Sequence, residues 1–226
     1  MTRLFRSLAV LLLWLGMALP AQAAVTITFW SHEFGNSFPH AFITLRGVPD
    51  AGGPAVDKDY GFTAKTVSPA LLFGSVPGRI EPANATYIKS SDAQFSVVLT
   101  DAQYAEVLTL IAAWDEKTGD GHYNLNDRNC VHFVKEAARI AGLTGLDFPK
   151  LMKKPRSYLL AVEDANAGRV TKVNQDGKAY LASLPPIVAA PAAGVAIVPP
   201  PVLPTPVDPV PTAAPSPAAP VPVPAG

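Results

Sequence analysis

The chain has 226 residues with 18 basic and 18 acidic side chains, so its formal charge is zero. That balance argues against nucleic acid, and against an anionic membrane surface held by charge, as partners. A single cysteine, Cys130, excludes an internal disulfide and leaves one thiol. In an oxidising compartment such a thiol has to be buried or used.

The first 23 residues read as a secretory signal. Arg3 and Arg6 precede an apolar run at 8–19, and Ala21-Gln22-Ala23 fits the small-x-small cleavage rule. The run is short for a membrane span and no second one follows, so no transmembrane segment is expected. No cysteine follows the cleavage site to carry a lipid anchor. The expected location is periplasmic or secreted, with a mature chain of 16 basic and 18 acidic residues.

Residues 24–184 have the size of one domain. Its first half reads as strands: 25–30, where Thr alternates with apolar residues; 40–46; 59–66; a short one at 87–88; and 95–99. The turn-rich Pro49-Asp50-Ala51-Gly52-Gly53-Pro54 closes the second of these. The period changes near Thr100. Thr100 and Gln103 form a capping box, and Tyr104, Val107, Leu108, Ile111 and Trp114 make one apolar helix face. A second helix starts after Asn129, a good N-cap, and stops at Gly142. Pro155 suits the first turn of a third, running towards Asn166, and a weak strand follows at 170–173. Strands first and helices later predict an α+β fold, an antiparallel sheet with helices packed on it. From 185 to 226 the chain is Pro, Ala and Val, with fifteen of the 24 prolines and Asp208 its only charge. This reads as a disordered, polyproline-II tail that acts as a spacer, meets a partner, or is merely tolerated.

Cys130 falls in the first turn of the Asn129-capped helix. The positive end of the helix dipole there favours thiolate, while the plainer reading is a small buried hydrophobe. Of the four histidines, His132 lies two residues on, on another side of the helix, and reads as structural or exposed. His122 lies in a loop between Gly121 and Tyr123. His32 and Glu33 fall in an irregular piece after the first strand and read as surface. His40 opens an apolar strand after Pro39, where it is either a core residue or a rigidly held base. Zinc would need a ligand set, but there is no C-x-x-C and no H-E-x-x-H, so neither a metal nor a cofactor is expected.

The motif Asn129-Cys130-Val131-His132-Phe133-Val134, downstream of His40-Ala41-Phe42-Ile43-Thr44-Leu45, resembles the circularly permuted, NlpC-like papain fold of the lecithin retinol acyltransferase group. The resemblance covers roughly 25–145 and rests on the motif and on the order of histidine strand before cysteine helix. It implies a permuted papain-like domain with Cys130 as nucleophile and His40 as base. The acyltransferases carry a further histidine on the strand after the base, and no histidine occupies 59–66 here. Asp59, sharing one strand face with Thr63, is therefore the choice for orienting His40, with Thr63 second. Asp59 as a plain surface carboxylate remains the alternative.

These readings converge on an exported cysteine hydrolase acting through a thioester. A peptide amide of the cell wall is the first expected substrate, and a lipid acyltransferase or esterase of the same fold, acting on an acyl-lipid, is the alternative. A non-catalytic binding module on the same fold is the alternative of a different class. The thiol is expected within about 4 Å of His40, with its pKa lowered. Amides of the first helical turn are expected to receive an oxyanion.

Overall fold

A computed structural model of the chain describes residues 24–33 and 38–187. The expected leader, and the tail from 188 onward, lie outside the described residues. Seven strands form one sheet in the order β6-β4-β3-β2-β1-β5-β7, every pair antiparallel. They are β1 (Val25–His32), β2 (His40–Gly47), β3 (Val56–Ala64), β4 (Val76–Glu81), β5 (Asp92–Leu99), β6 (His122–Tyr123) and β7 (Thr171–Asp176). The helices are α1 (Ala85–Lys89), α2 (Asp101–Trp114), α3 (Cys130–Ile140), α4 (Pro155–Ala165) and α5 (Gly177–Ser183). The fold is α+β, as the change of period near Thr100 predicts.

Period-two alternation gives the sheet two different faces. Ile27 and Phe29 of β1, Ala41, Ile43 and Leu45 of β2 and Phe95 of β5 bury themselves in the main core with Val131, Phe133, Val134, Ala137 and Ala138 of α3 and Tyr158, Leu159 and Val162 of α4. Each large side chain in that set contributes about 1.5–3 kcal/mol by leaving water. The opposite face carries a smaller cluster of Trp30, Phe42 and Ala93, covered by Tyr87 and Ile88 of α1 and Tyr180 and Leu181 of α5.

Four elements differ from the sequence expectation: residues 87–88, β4, the two-residue β6 where a loop was expected, and α5, which was not expected. Residues 87–88 are helical, because Asn84 accepts the Tyr87 N–H and starts α1. A half-buried apolar pair on a one-and-a-half-turn helix looks the same as one on a short strand. β4 was not expected, since Pro77 and Gly78 interrupt it. Gly78 is required there: an added Cβ would lie 2.8 Å from Tyr123 Cβ, and its N–H bonds Gly121 O at 2.6 Å. The capping box of α2 forms as read, with Thr100 and Gln103 satisfying each other's backbone.

Candidate active site

α3 begins where the sequence places it, and its cap explains how Cys130 is held. Asn129 Oδ1 accepts the Val131 and His132 amides at 2.8 and 3.2 Å. Its Nδ2 donates to Leu125 O at 2.8 Å and Met152 O at 2.9 Å. Asn129 is thus a buried four-way junction between the α3 start, the loop before it and the segment leading to α4. His132 completes a capping box, its Nδ1 accepting the Asn129 N–H at 3.3 Å, so the neutral ring carries its proton on Nε2. That is the structural role expected for His132. Burial, then Lys135, lower its pKa.

The cap also limits oxyanion binding by this helix. Of the first-turn amides, those of Val131 and His132 are taken by Asn129. The Cys130 amide lies against its own sulfur and within reach of the Tyr123 hydroxyl.

Cys130 is buried in the main core, 5 % exposed. Its thiol is not poised as a thiolate. Burial pushes it up to about 11, against the opposing pull of the Ala41, Val131 and Cys130 amides. This corrects the expectation drawn from the helix dipole: desolvation of the charged sulfur outweighs the helix terminus. Tyr87 and Tyr123, from opposite sides of the sheet, lie close enough to a thiolate for its charge to raise their own pKa values further, after burial.

His40 stands directly before the residue whose amide meets the sulfur. Its side chain belongs to the other face of the sheet. The ring lies parallel to Phe42, centroids 6.2 Å apart, and Nε2 is 2.6 Å from where a Cβ on Gly61 would be. Across the sheet it is paired with His32. Burial drives the His40 imidazole down to about 4, with the neighbouring His32 acting in the same direction. Among the described residues no hydrogen bond joins the His40 ring to Cys130 or to any other group. The direct pair expected from the motif is therefore not made in this geometry. The structure brings the sulfur to the Ala41 amide, one residue away along the chain. Here β2 keeps β1 but loses its ladder to β3: the β2–β3 pairing runs from Gly47–Val56 to Ile43–Tyr60 and does not extend over His40 and Phe42.

Asp59 is not His40's partner. Its carboxylate accepts the Ala83 N–H, and burial raises its pKa in spite of that bond. It faces Thr44 across the ladder, four positions along β3 from Thr63. The residue that does face His40 is His32, read from sequence as surface. His32 ends β1, its Nδ1 lies 3.1 Å from Ser91 Oγ, and its ring stacks on Tyr87 at 4.3 Å. Because Ser91 Oγ gives its proton to Tyr87 O at 2.8 Å, it accepts from His32 Nδ1–H, leaving His32 Nε2 as the acceptor nitrogen. Its one signal in sequence was period: His32 continues the alternation of 25–30 by two residues.

His122 is exposed and paired with Asp120 at 2.6 Å. Beside it the Arg128 guanidinium lies 3.8 Å from the Trp114 ring centre. Two clefts of about 330 and 350 Å³ share His122 as a wall, and neither is lined by Cys130 or His40. Among the described residues no group of three or more His, Cys, Asp or Glu side chains converges as a metal site would. No helix there is long and apolar enough to cross a membrane. No family model matches the chain, and no curated protein or solved structure matches it either.

Proposed function

We propose that the chain is an exported cysteine hydrolase on a permuted papain-like fold, acting on an amide of cell-wall peptide. The observation that carries this reading is the place of Cys130 in the first turn of α3, in one buried cluster with Ala41, the β2 residue next to His40. With the thiol raised and the imidazole lowered, both groups are neutral near pH 7. That combination works by general base rather than by a standing ion pair. As Sγ attacks the carbonyl carbon, His40 takes the thiol proton. It returns that proton to the departing amine when the carbon–nitrogen bond breaks, leaving a Cys130 thioester. Water then attacks the thioester and gives the acid and the free thiol. For the first step the imidazole has to reach the sulfur around the end of β2, a stretch that β1 pairs but no β3 ladder holds.

A second reading, a binding module on the same fold, is favoured by a specific observation: His40 and Cys130 project from opposite faces of the sheet and share no hydrogen bond. One experiment separates the two. Cell-wall fragments are incubated with the protein, new amines are quantified, and Cys130 is searched by mass for a trapped acyl group. The enzyme reading expects turnover that Cys130→Ser abolishes and His40→Ala lowers at least 100-fold. Fragment binding without turnover, with the same alkylation rate for Cys130 in wild type and His40→Ala, would move the conclusion to the binding module.

A further inference from the structure

Among the described residues, most of the large apolar side chains left in water stand at one end of the sheet. Phe38 is 64 % exposed, Val67 60 %, Leu72 72 % and Phe73 86 %. The antiparallel register puts them together topologically. Phe38 precedes His40 at the start of β2, and the other three lie in the connection from the end of β3 to the start of β4. β1 ends at the same edge with His32, and the Cys130 sulfur meets Ala41 there.

The β3–β4 connection is built to display these residues. Pro69–Leu72 forms a 3₁₀ turn with none of its side chains buried. Leu71 packs partly against the main core and pins the turn, so Leu72 and Phe73 are held outward. The Leu71 and Phe73 amides bond Ser68 O and Ala70 O, both at 3.1 Å. No charged residue occurs from 66 to 78.

We propose that this edge docks on a lipid bilayer, with Leu72 and Phe73 inserted at the interface and the Cys130 end of the sheet facing the membrane. Three observations select a bilayer over a second copy of the chain. The four side chains expose on the order of 500 Å², short of the ~800 Å² per partner that a stable protein pair buries. The turn is uncharged, and its Leu71 and Phe73 amides are satisfied within it, which lowers the cost of entry into an apolar layer. The chain's neutral balance supplies no electrostatic attraction, so the apolar contact has to carry the binding and salt has little effect on it. Docking stands whether or not Cys130 turns over, so its failure is distinct from failure of the hydrolase reading.

The test uses the chain purified after export from a bacterial host, with its N-terminus fixed by mass. Vesicles are of phosphatidylethanolamine alone or with one-third phosphatidylglycerol. Partitioning is expected to be of the order of a single acyl chain, about 10⁴ M⁻¹. It should be equal within twofold on the two lipids and unchanged from 50 to 500 mM salt. Leu72→Ser with Phe73→Ser should lower it at least tenfold with an unaltered melting curve. Phe73→Trp should be quenched by brominated acyl chains, which reports the turn itself. No quenching of that tryptophan, undiminished partitioning of the double variant, or a solution dimer that the same substitutions break would overturn the proposal.

Discussion

Replacing Asn129 by Ala removes four hydrogen bonds at a residue only 2 % exposed. Loss of an N-cap costs about 1 kcal/mol. The Leu125 and Met152 carbonyls also lose their donors in a buried setting, at roughly 1–3 kcal/mol each. Allowing for partial rehydration, the sum is about 3–5 kcal/mol, a melting-point fall of roughly 10–15 °C for a domain of this size. Asn129→Asp separates the terms. It keeps the acceptor for the Val131 and His132 amides and gains from the helix dipole, but sets a carboxylate against two carbonyls. It should therefore still lose about 2 kcal/mol or more. Urea titration followed by circular dichroism measures both, with an unchanged m-value required for a two-state reading. An Asn129→Ala variant within about 1 kcal/mol of wild type would refute the junction argument, because the cap alone would account for it.

Gly61→Ala should destabilise by about 1–3 kcal/mol, since its Cβ would stand 2.6 Å from His40 Nε2. In a His40→Ala background most of that penalty should vanish, and full additivity would refute the contact. Iodoacetamide labelling of native Cys130 should be slow at pH 7 and rise about tenfold per pH unit towards a pKa of about 11, whereas a plateau near pH 8 would mean an unshifted thiol. Because the folded thiol pKa lies above its ordinary 9.0, the fold should lose stability as pH rises from about 9 to 11, and Cys130→Ala should remove that slope in urea titrations. His40 works at the other limb. Its folded pKa of about 4 lies below its ordinary 6.5, so the stability it contributes is complete above 6.5 and is lost as pH falls towards 4. His40→Gln should flatten that limb, and an identical acid profile would count against a buried neutral imidazole.

Local signals carried the architecture. The Thr100 and Asn129 caps, the helix spacing of Val131, Val134 and Ala138, and the alternation through Ile27 and Ile43 each name an element and a buried face. What was not legible lies where tertiary contact overrides local pattern. β4 survives Pro77 and Gly78 because β3 and β6 pair with it on either side. At the site, the first-turn position of Cys130 could be read from the sequence, but its desolvation could not. Burial in the assembled core raises the thiol's pKa against the pull of its own helix amides and that of Ala41. Asp59 has a different partner from the one its strand face suggests, for a related reason. Its strand face was read correctly, but the chain that returns at Ala83 to take its carboxylate leaves no local trace. His32 reads as surface from the sequence because a pairing between the end of β1 and the start of β2 is a property of register.

The strand order also bears on how the chain acquires its shape. β1 is the first element of the described fold, yet it is internal to the sheet, flanked by β2 on one side and β5 on the other. Its second neighbour arrives some 60 residues later in sequence, and α4, which covers its core face, later still. A chain emerging N-terminus first therefore carries an apolar strand with one open edge for as long as it takes to deliver β5. Such long-range closure is slow, and it leaves the open strand exposed to pairing with neighbouring chains. Refolding should accordingly be sensitive to protein concentration even where the finished fold is stable. The first strand through is among the last to be sealed.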